Sequence, residues 1–311
     1  MSGAAAAQQR ELPNVAAGIL PDELQAHICT LASDEMQGRL SGTEAALKAA
    51  DYIAACFEQN HLQMPCDSSW FQAFVTPKAA GVNVIGIIEG SGWKDEAVVV
   101  SAHYDHVGML NGRIYYGADD NASGVAAMLE IAQAFAEMQK SGCRPQRSVV
   151  FIAFDGKENE LAGSEWYARH PVFPMEKTFV NLNIDAVGRV EGSPNGMAGY
   201  LLLIGTGRAG AELTFISDSL NRARNLYLYL DDTFYDSKVF TDAFYMFSDQ
   251  YSFGRRGVPA VYCTGGLHDD LYRPTDTEDR INYEVLKKRT QLIFYTAWEL
   301  ANRVSLIKKT K

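Results

Sequence analysis

Four polar clusters sit at or just after runs of buried-strand character, and their residue types could hold a divalent cation. His103-Tyr104-Asp105 follows the apolar run AVVVSA, and Asp119-Asp120-Asn121 lies in GADDNASG, ahead of a long apolar-periodic stretch. Asp155-Gly156-Lys157-Glu158 follows SVVFIAF, and Asp185 lies inside VNLNIDAVGR. One imidazole with several carboxylates is a donor set that suits Zn²⁺ or a similar ion. Ligands of an open α/β sheet bind beyond the carboxyl ends of its strands, so all four clusters could converge on one sheet edge. Each cluster also has a plainer explanation. A His after a strand is often just hydrogen-bonded, Asp119-Asp120-Asn121 could cap a helix, and Glu158 could pair with a surface lysine. Asp185 is harder to dismiss, because a lone buried carboxylate is costly unless paired or metal-bound. The coincidence of all four favours a metal centre.

The elements that must position these residues alternate between strand and helix. Apolar residues at helical spacing predict helices over Pro21–Ser33, Thr43–Gln59, Ser123–Met138, Ala211–Arg224 and Tyr283–Ser305, and another begins at Ser164–Arg169. In the second, Leu47, Ala50, Ile53, Ala54 and Phe57 are expected on one apolar face. Short β-branched runs predict strands at Asn83–Gly90, Ala97–His103, Ser148–Phe154, Val180–Val187, Tyr200–Ile204 and Pro259–Cys263. This alternation indicates an α/β fold: a three-layer α/β/α sandwich around a central mixed, largely parallel sheet. No repeat or Pro- or Ser-rich linker appears. The expected organisation is an N-terminal tail over 1–20 and a single domain over 21–311.

The 311 residues carry a formal charge of −10, with 47% hydrophobic and 21% charged residues. Such proportions support a full core and exclude disorder, collagen or coiled coil as the main architecture. The acidic balance argues against nucleic acid and against an anionic membrane surface. No apolar run reaches the roughly 18 residues a membrane-crossing helix needs. MSGAAAAQQRELPN has no basic or Leu-rich signal character. Cys29, Cys56, Cys66, Cys143 and Cys263 are dispersed and form no CxxC pair, so they read as mostly buried thiols, with room for one disulfide if the protein is exported.

With these motifs in place, the sequence resembles the M28 zinc peptidases, the co-catalytic di-zinc aminopeptidase group. The matching stretches run in family order from Leu31 to Thr277: LASDEMQGRLSGTEAALKAADYIA, NVIGIIEG, SAHYDHVG, GADDNASGVAAMLEIA, FIAFDGKENELAGS, VNLNIDAVGR and SFGRRGVPAVYCTGGLHDDLYRPTDT. The resemblance implies His103 and Asp185 on a first metal, Asp120 bridging two metals, Glu158 on the second, and Asp105 orienting the site. It also implies a peptide substrate, with the metals polarising the scissile carbonyl and activating water. Relatives of this kind are often exported, which leans toward the periplasm or the exterior. Neither the compartment nor the oligomeric state follows from the chain.

This sequence departs from the family pattern at two site positions. Lys157 stands where the family usually has the Glu that accepts the water's proton. A protonated Lys has no lone pair, so only a neutral Lys157 could act as the base; Glu160 is nearby, but no spacing argument supports it. Tyr272 stands where the family usually has the last imidazole ligand, leaving His268, four residues earlier in the same loop, as the candidate replacement. In addition, Gln250 follows Ser248-Asp249 where the family commonly has His. The expectation is one well-supported zinc site (His103, Asp120 and Asp185) and a doubtful second one (Asp120, Glu158 and His268). The leading reading is a zinc-dependent exopeptidase of the aminopeptidase kind. The alternatives are a catalytically degenerate peptide-binding protein and a single-zinc glutaminyl-cyclase-like enzyme.

Two further segments have competing readings. Tyr200–Ile204 runs into Gly205-Thr-Gly207-Arg-Ala-Gly210 and ends at Asp231-Asp232, a dinucleotide-like spacing. A lone GxGxxG is weak, and this unit falls between segments already placed in the peptidase pattern. LYLYLDDTFYDSKVFTDAFYMFSD reads as a half-exposed edge or lid, or as a pocket wall. Trp70, Phe71 and Phe74 read as core. His106 is adjacent to the HxD motif and is a candidate pocket-lining residue, whereas His27, His61 and His170 read as ordinary.

Overall fold

The computed structural model describes residues 14–65, 69–191, 193, 196–197, 199–205, 211–233 and 237–304. Its centre is an eight-stranded sheet of order β1-β2-β6-β3-β7-β10-β8-β9. These strands are β1 (Phe71–Val75), β2 (Ala80–Ile88), β3 (Trp93–His103), β6 (Arg147–Phe154), β7 (Thr178–Ile184), β8 (Tyr200–Ile204), β9 (Tyr229–Asp231) and β10 (Ala260–Thr264). β4 (Gly108–Leu110) and β5 (Arg113–Tyr115) form a separate hairpin. β6, β3, β7 and β10 run parallel, while β2 against β6 and β8 against β10 are antiparallel. The mixed, largely parallel sheet expected from the sequence is therefore present.

The central strands are apolar on both faces because helices cover both. RSVVFIAF of β6 is buried at every position, as parallel strands between two helical layers must be. Val149 and Phe151 join the larger core, and Val150, Ile152 and Phe154 the smaller one. The larger core receives α1 (Pro21–Leu31), α2 (Glu44–Gln59), α3 (Gly124–Lys140), α5 (Ala211–Ala223) and α8 (Tyr283–Asn302). The smaller core lies under Tyr167 of α4 (Ala162–Arg169) and Phe253 of α7 (Gln250–Gly254). α6 spans Lys238–Phe244. Side-chain caps hold two of the helix starts: Thr43 accepts from the Ala46 amide, and Asn282 from the Val285 amide.

Several local expectations shift. Leu47 is 51% exposed, because the buried face of α2 is centred on Ala46, Ala49, Ala50, Ile53 and Phe57, and position 47 falls at its flank. Phe71 is exposed, whereas Trp70 and Phe74 are buried; the segment is an antiparallel edge strand whose side chains alternate. The long helix starts at Gly124, after an irregular Ala118–Ser123 segment in which Asp120 and Asn121 leave helical geometry. Ala16 and Ile19, in the stretch expected as a tail, are buried, and Gln291 donates to the Ala16 carbonyl. Cys29, Cys56, Cys143 and Cys263 are free thiols, and Cys66 lies outside the described residues. Among the described residues, no helix is long and apolar enough to cross a membrane.

Candidate metal centre

Strand order brings the clusters together. β3 lies between β6 and β7 in parallel register, with His103 opposite Phe154 and Ser101 opposite Asn183. The carboxyl ends carrying His103, Asp155–Glu158 and Asp185 are therefore neighbours. Asn121 binds the Asp120 segment to them: its Nδ2 donates to the carbonyls of His103 (3.2 Å) and Ile184 (3.0 Å), and its Oδ1 accepts from the Ala186 amide at 3.0 Å. Asp276 accepts from the amides of Asp119 and Asp120. Gly117 opens the turn at φ +57°, where a Cβ would collide with the Asp120 carbonyl and the His106 ring. Fully buried Arg39 donates to the carbonyls of Leu31, Tyr104, Tyr116 and Gly117, fastening the His103 and Asp120 loops together.

His103, Asp120 and Asp185 are all buried, and one ligand atom from each lies within 4.8 Å of the others. His103 Nε2 is 3.2 Å from Asp120 Oδ1 and 3.4 Å from Asp185 Oδ1. Its Nδ1 lies 3.1 Å from the Asp105 carbonyl oxygen. Nε2 points at two carboxylates and has no hydrogen-bond partner of its own. With no cation bound, burial and Lys157 disfavour charge on this imidazole, but Asp185, Asp105 and Asp120 outweigh them and hold it well above the usual histidine range. A divalent ion replaces that proton, and one imidazole nitrogen with two carboxylates is a donor set that fits Zn²⁺. Ser248 Oγ donates to Asp185 Oδ2 at 2.5 Å, which fixes that carboxylate. Asp105 is fully buried, and its two oxygens accept from the amides of Lys157 and Glu158 at 3.0 Å each. It therefore shapes the 157–158 turn and stands 3.6 Å from His103 Nδ1.

A second donor group contains a residue that sequence reasoning did not place on a metal. His106, Asp120 and Glu158 also bring ligand atoms within 4.8 Å of one another. His106 is fully buried, and neither of its ring nitrogens has a hydrogen-bond partner. Burial pushes it down to about 3, so its ring is neutral. Its Nδ1 is 3.7 Å from Asp120 Oδ2. The only sequence signal was its place one residue beyond the HxD motif. Burial pushes Glu158 up to about 7, against the opposing pull of Lys157.

Lys157 extends into this cluster. Its Nζ is 3.0 Å from Glu158 Oε1, 3.2 Å from Tyr272 Oη and 3.4 Å from Asp120 Oδ1. Burial favours a neutral amine, but Asp120, Asp185 and Glu158 outweigh it and hold Lys157 well above the usual lysine range. With no metal alongside, this side chain is an ammonium, in contrast to the neutral base considered from the sequence. Tyr272 also stacks on His106, with ring centroids 5.9 Å apart and planes 12° apart.

The structure does not bring His268 to either donor group. Its Nε2 faces Asp119 Oδ2 at 3.2 Å. Asp119 is itself held through Oδ1 by Ser123 Oγ and the Gly188 amide, so the imidazole is committed to that pair. Gln250 is buried as a structural link, accepting from Asn183 and donating to the Tyr245 carbonyl. Asp249 is buried with no partner for either oxygen, and burial pushes it up to about 6. Glu160 pairs with Lys78 at 2.7 Å.

The cluster opens into a cavity of about 730 Å³ whose wall includes Lys157, Glu158 and Tyr272. Leu161, Trp166, Met246 and Phe247 add apolar surface, the last two from the aromatic-acidic segment singled out in the sequence. Elsewhere in that segment Val239 and Phe240 are exposed, and residues 234–236 lie outside the described ones. The dinucleotide-like unit forms a parallel β8–β9 pair at the sheet edge, but its loop over residues 206–210 also lies outside the described residues.

The match to Peptidase family M28 runs over residues 83–297, and the chain belongs to that family. Among solved structures it resembles the Legionella pneumophila LapA aminopeptidase at a TM-score of 0.74 and 18% identity, covering 96% of this chain and 79% of that one. It also resembles BSAP, a zinc aminopeptidase from Bacillus subtilis, at a TM-score of 0.71 and 17% identity, covering 94% and 97%. Among curated proteins, a probable glutamate carboxypeptidase of Arthroderma benhamiae is 38% identical over 104 residues, 33% of this chain and 13% of that protein. Human transferrin receptor protein 2 is 28% identical over 238 residues, 71% of this chain and 27% of the receptor. The matched regions thus span a small part of these curated relatives. Family and fold together support a zinc peptidase.

Proposed function

We propose that this chain is a zinc-dependent exopeptidase acting at the free amino end of peptides. The observation that carries the reading is the buried trio of His103, Asp120 and Asp185, whose orphaned imidazole nitrogen faces two carboxylates beside a peptide-sized cavity. Those three residues would hold the metal. Zinc, when bound, acts as a Lewis acid toward the scissile carbonyl and lowers the pKa of water.

The remaining roles belong to the protein. Asp105 holds the 157–158 turn and keeps His103 in position. The Lys157 ammonium, held by Glu158, Tyr272 and Asp120 in the cavity wall, adds fixed positive charge that favours a substrate oxygen gaining negative charge. Because an ammonium cannot accept a proton, that task falls to a carboxylate of the cluster, and Glu158 is the one that also lines the cavity. Trp166, Met246 and Phe247 offer an apolar wall for a substrate side chain. Support for the amino-end direction comes from the fold shared with LapA and BSAP, both described as aminopeptidases.

The test is to purify the protein without chelator, count zinc per chain and follow hydrolysis of aminoacyl anilides and of peptides with free or acetylated amino ends. Zinc-dependent release that acetylation blocks is expected. Zinc-free protein with no turnover would refute the reading, and release from the carboxyl end alone would reverse its direction. One observation favours a second reading, a degenerate peptide-binding protein: Lys157 stands where the family has its proton acceptor. Peptide binding to zinc-loaded protein without turnover would select it.

A further inference from the structure

We propose that the Lys157 ammonium occupies the place of a second divalent cation, plugging the donor site built by His106, Asp120 and Glu158, so that the resting centre holds one metal. This inference rests on the zinc-peptidase reading above. A lysine ammonium has three N–H donors and no acceptor. Here the three acceptors are Glu158 Oε1 at 3.0 Å, Tyr272 Oη at 3.2 Å and Asp120 Oδ1 at 3.4 Å. Two of these residues, Asp120 and Glu158, also belong to the second donor group. The Lys157 side chain is 8% exposed, so the ion is seated within the cluster and does not lie across its mouth.

His106 is the independent observation. It is fully buried, both ring nitrogens lack hydrogen-bond partners, and Nδ1 is 3.7 Å from Asp120 Oδ2. A buried imidazole left unpartnered beside a carboxylate is the remaining ligand of a site whose cation is supplied by the protein itself. Charge balance agrees: the carboxylates of Asp120, Asp185 and Glu158 are neutralised by one divalent ion plus one ammonium. Adding a second divalent ion beside the ammonium would overfill the site with positive charge. In this arrangement Tyr272 is a capping acceptor for Lys157 rather than a metal ligand, and Glu158 stays free to face the cavity.

The experiment counts metal on the full chain. Metal-free protein is titrated with Zn²⁺ by calorimetry and with Co²⁺ by visible absorption, and retained metal is measured after gel filtration. Near-UV circular dichroism confirms that each variant is folded. About one equivalent is expected for the unaltered protein, about two for Lys157→Met, and about one again for Lys157→Met with His106→Ala. Two equivalents in the unaltered protein would overturn the proposal without reference to any variant. Lys157→Met remaining at one equivalent would overturn it as well. No metal in the unaltered protein would instead remove the zinc reading on which it rests.

Discussion

Asp105→Asn isolates what holds the centre in shape. Asp105 is fully buried, and its two oxygens accept the Lys157 and Glu158 amides at 3.0 Å each. An asparagine keeps one oxygen and turns an amide N–H toward the other backbone N–H. One charge-assisted bond is lost, at about 1.5–3 kcal/mol, and a buried donor is left unmatched, at about 1–3 kcal/mol. Relief of carboxylate repulsion offsets part of this, so a net loss of about 3 kcal/mol is expected. For a chain of this size that lowers Tm by roughly 5 °C. The Asp105 carbonyl still accepts from His103 Nδ1, so the tautomer survives and the effect on metal is positional. Zinc affinity should fall by about tenfold, the low end for residues that orient a ligand. Melting in chelator reads the stability change, and competition against a fluorescent zinc indicator reads affinity. A variant whose melting and zinc affinity both match the parent would refute the role assigned to Asp105.

Chelation itself should destabilise the parent, because an ion held by His103, Asp120 and Asp185 binds only the folded chain; zinc at 100 times its Kd is worth about 2.7 kcal/mol, and an unchanged melt in EDTA would contradict the site. His268→Ala should leave zinc stoichiometry intact while lowering Tm, since its imidazole serves Asp119; loss of a metal equivalent would show that His268 ligates after all. Arg39→Met should cost about 3–5 kcal/mol, because four buried carbonyls lose a charged donor, and a near-parental denaturant midpoint would count against that frame. His27 supplies a pH dependence. Burial opposes its charge, but Cys56 and Glu130 outweigh burial and lift it from 6.5 to about 9. The folded protein therefore binds this proton more tightly, so its contribution is complete below about pH 6.5 and is lost as pH rises through about 9. A shift of this size is worth roughly 3 kcal/mol. Denaturant titrations across that range should show the decline in the parent but not in His27→Gln.

Much of the architecture was legible because burial pattern is local in the chain. A run such as SVVFIAF, apolar at successive positions, admits a strand covered on both faces and little else at that length. His103, Asp185 and Glu158 were legible because each follows or ends such a run, where an α/β sheet opens to ligand, and Asp120 because it opens the long apolar-periodic stretch. Leu47 was misplaced because helical spacing defines a face only to within the width of its flank, and packing decides which edge is covered.

The amino-acid order alone determined the α/β class, the strands that carry the polar clusters and the carboxylate-rich donor set. Tertiary structure alone decided which side chains meet: β3 lying between β6 and β7, His106 turning toward Asp120, His268 turning to Asp119, and Lys157 reaching Glu158, Tyr272 and Asp120. The physical reason is that periodicity reports how each residue stands to its own strand or helix. Contacts between distant segments depend on strand order and rotamer, and near neighbours in the chain do not encode either.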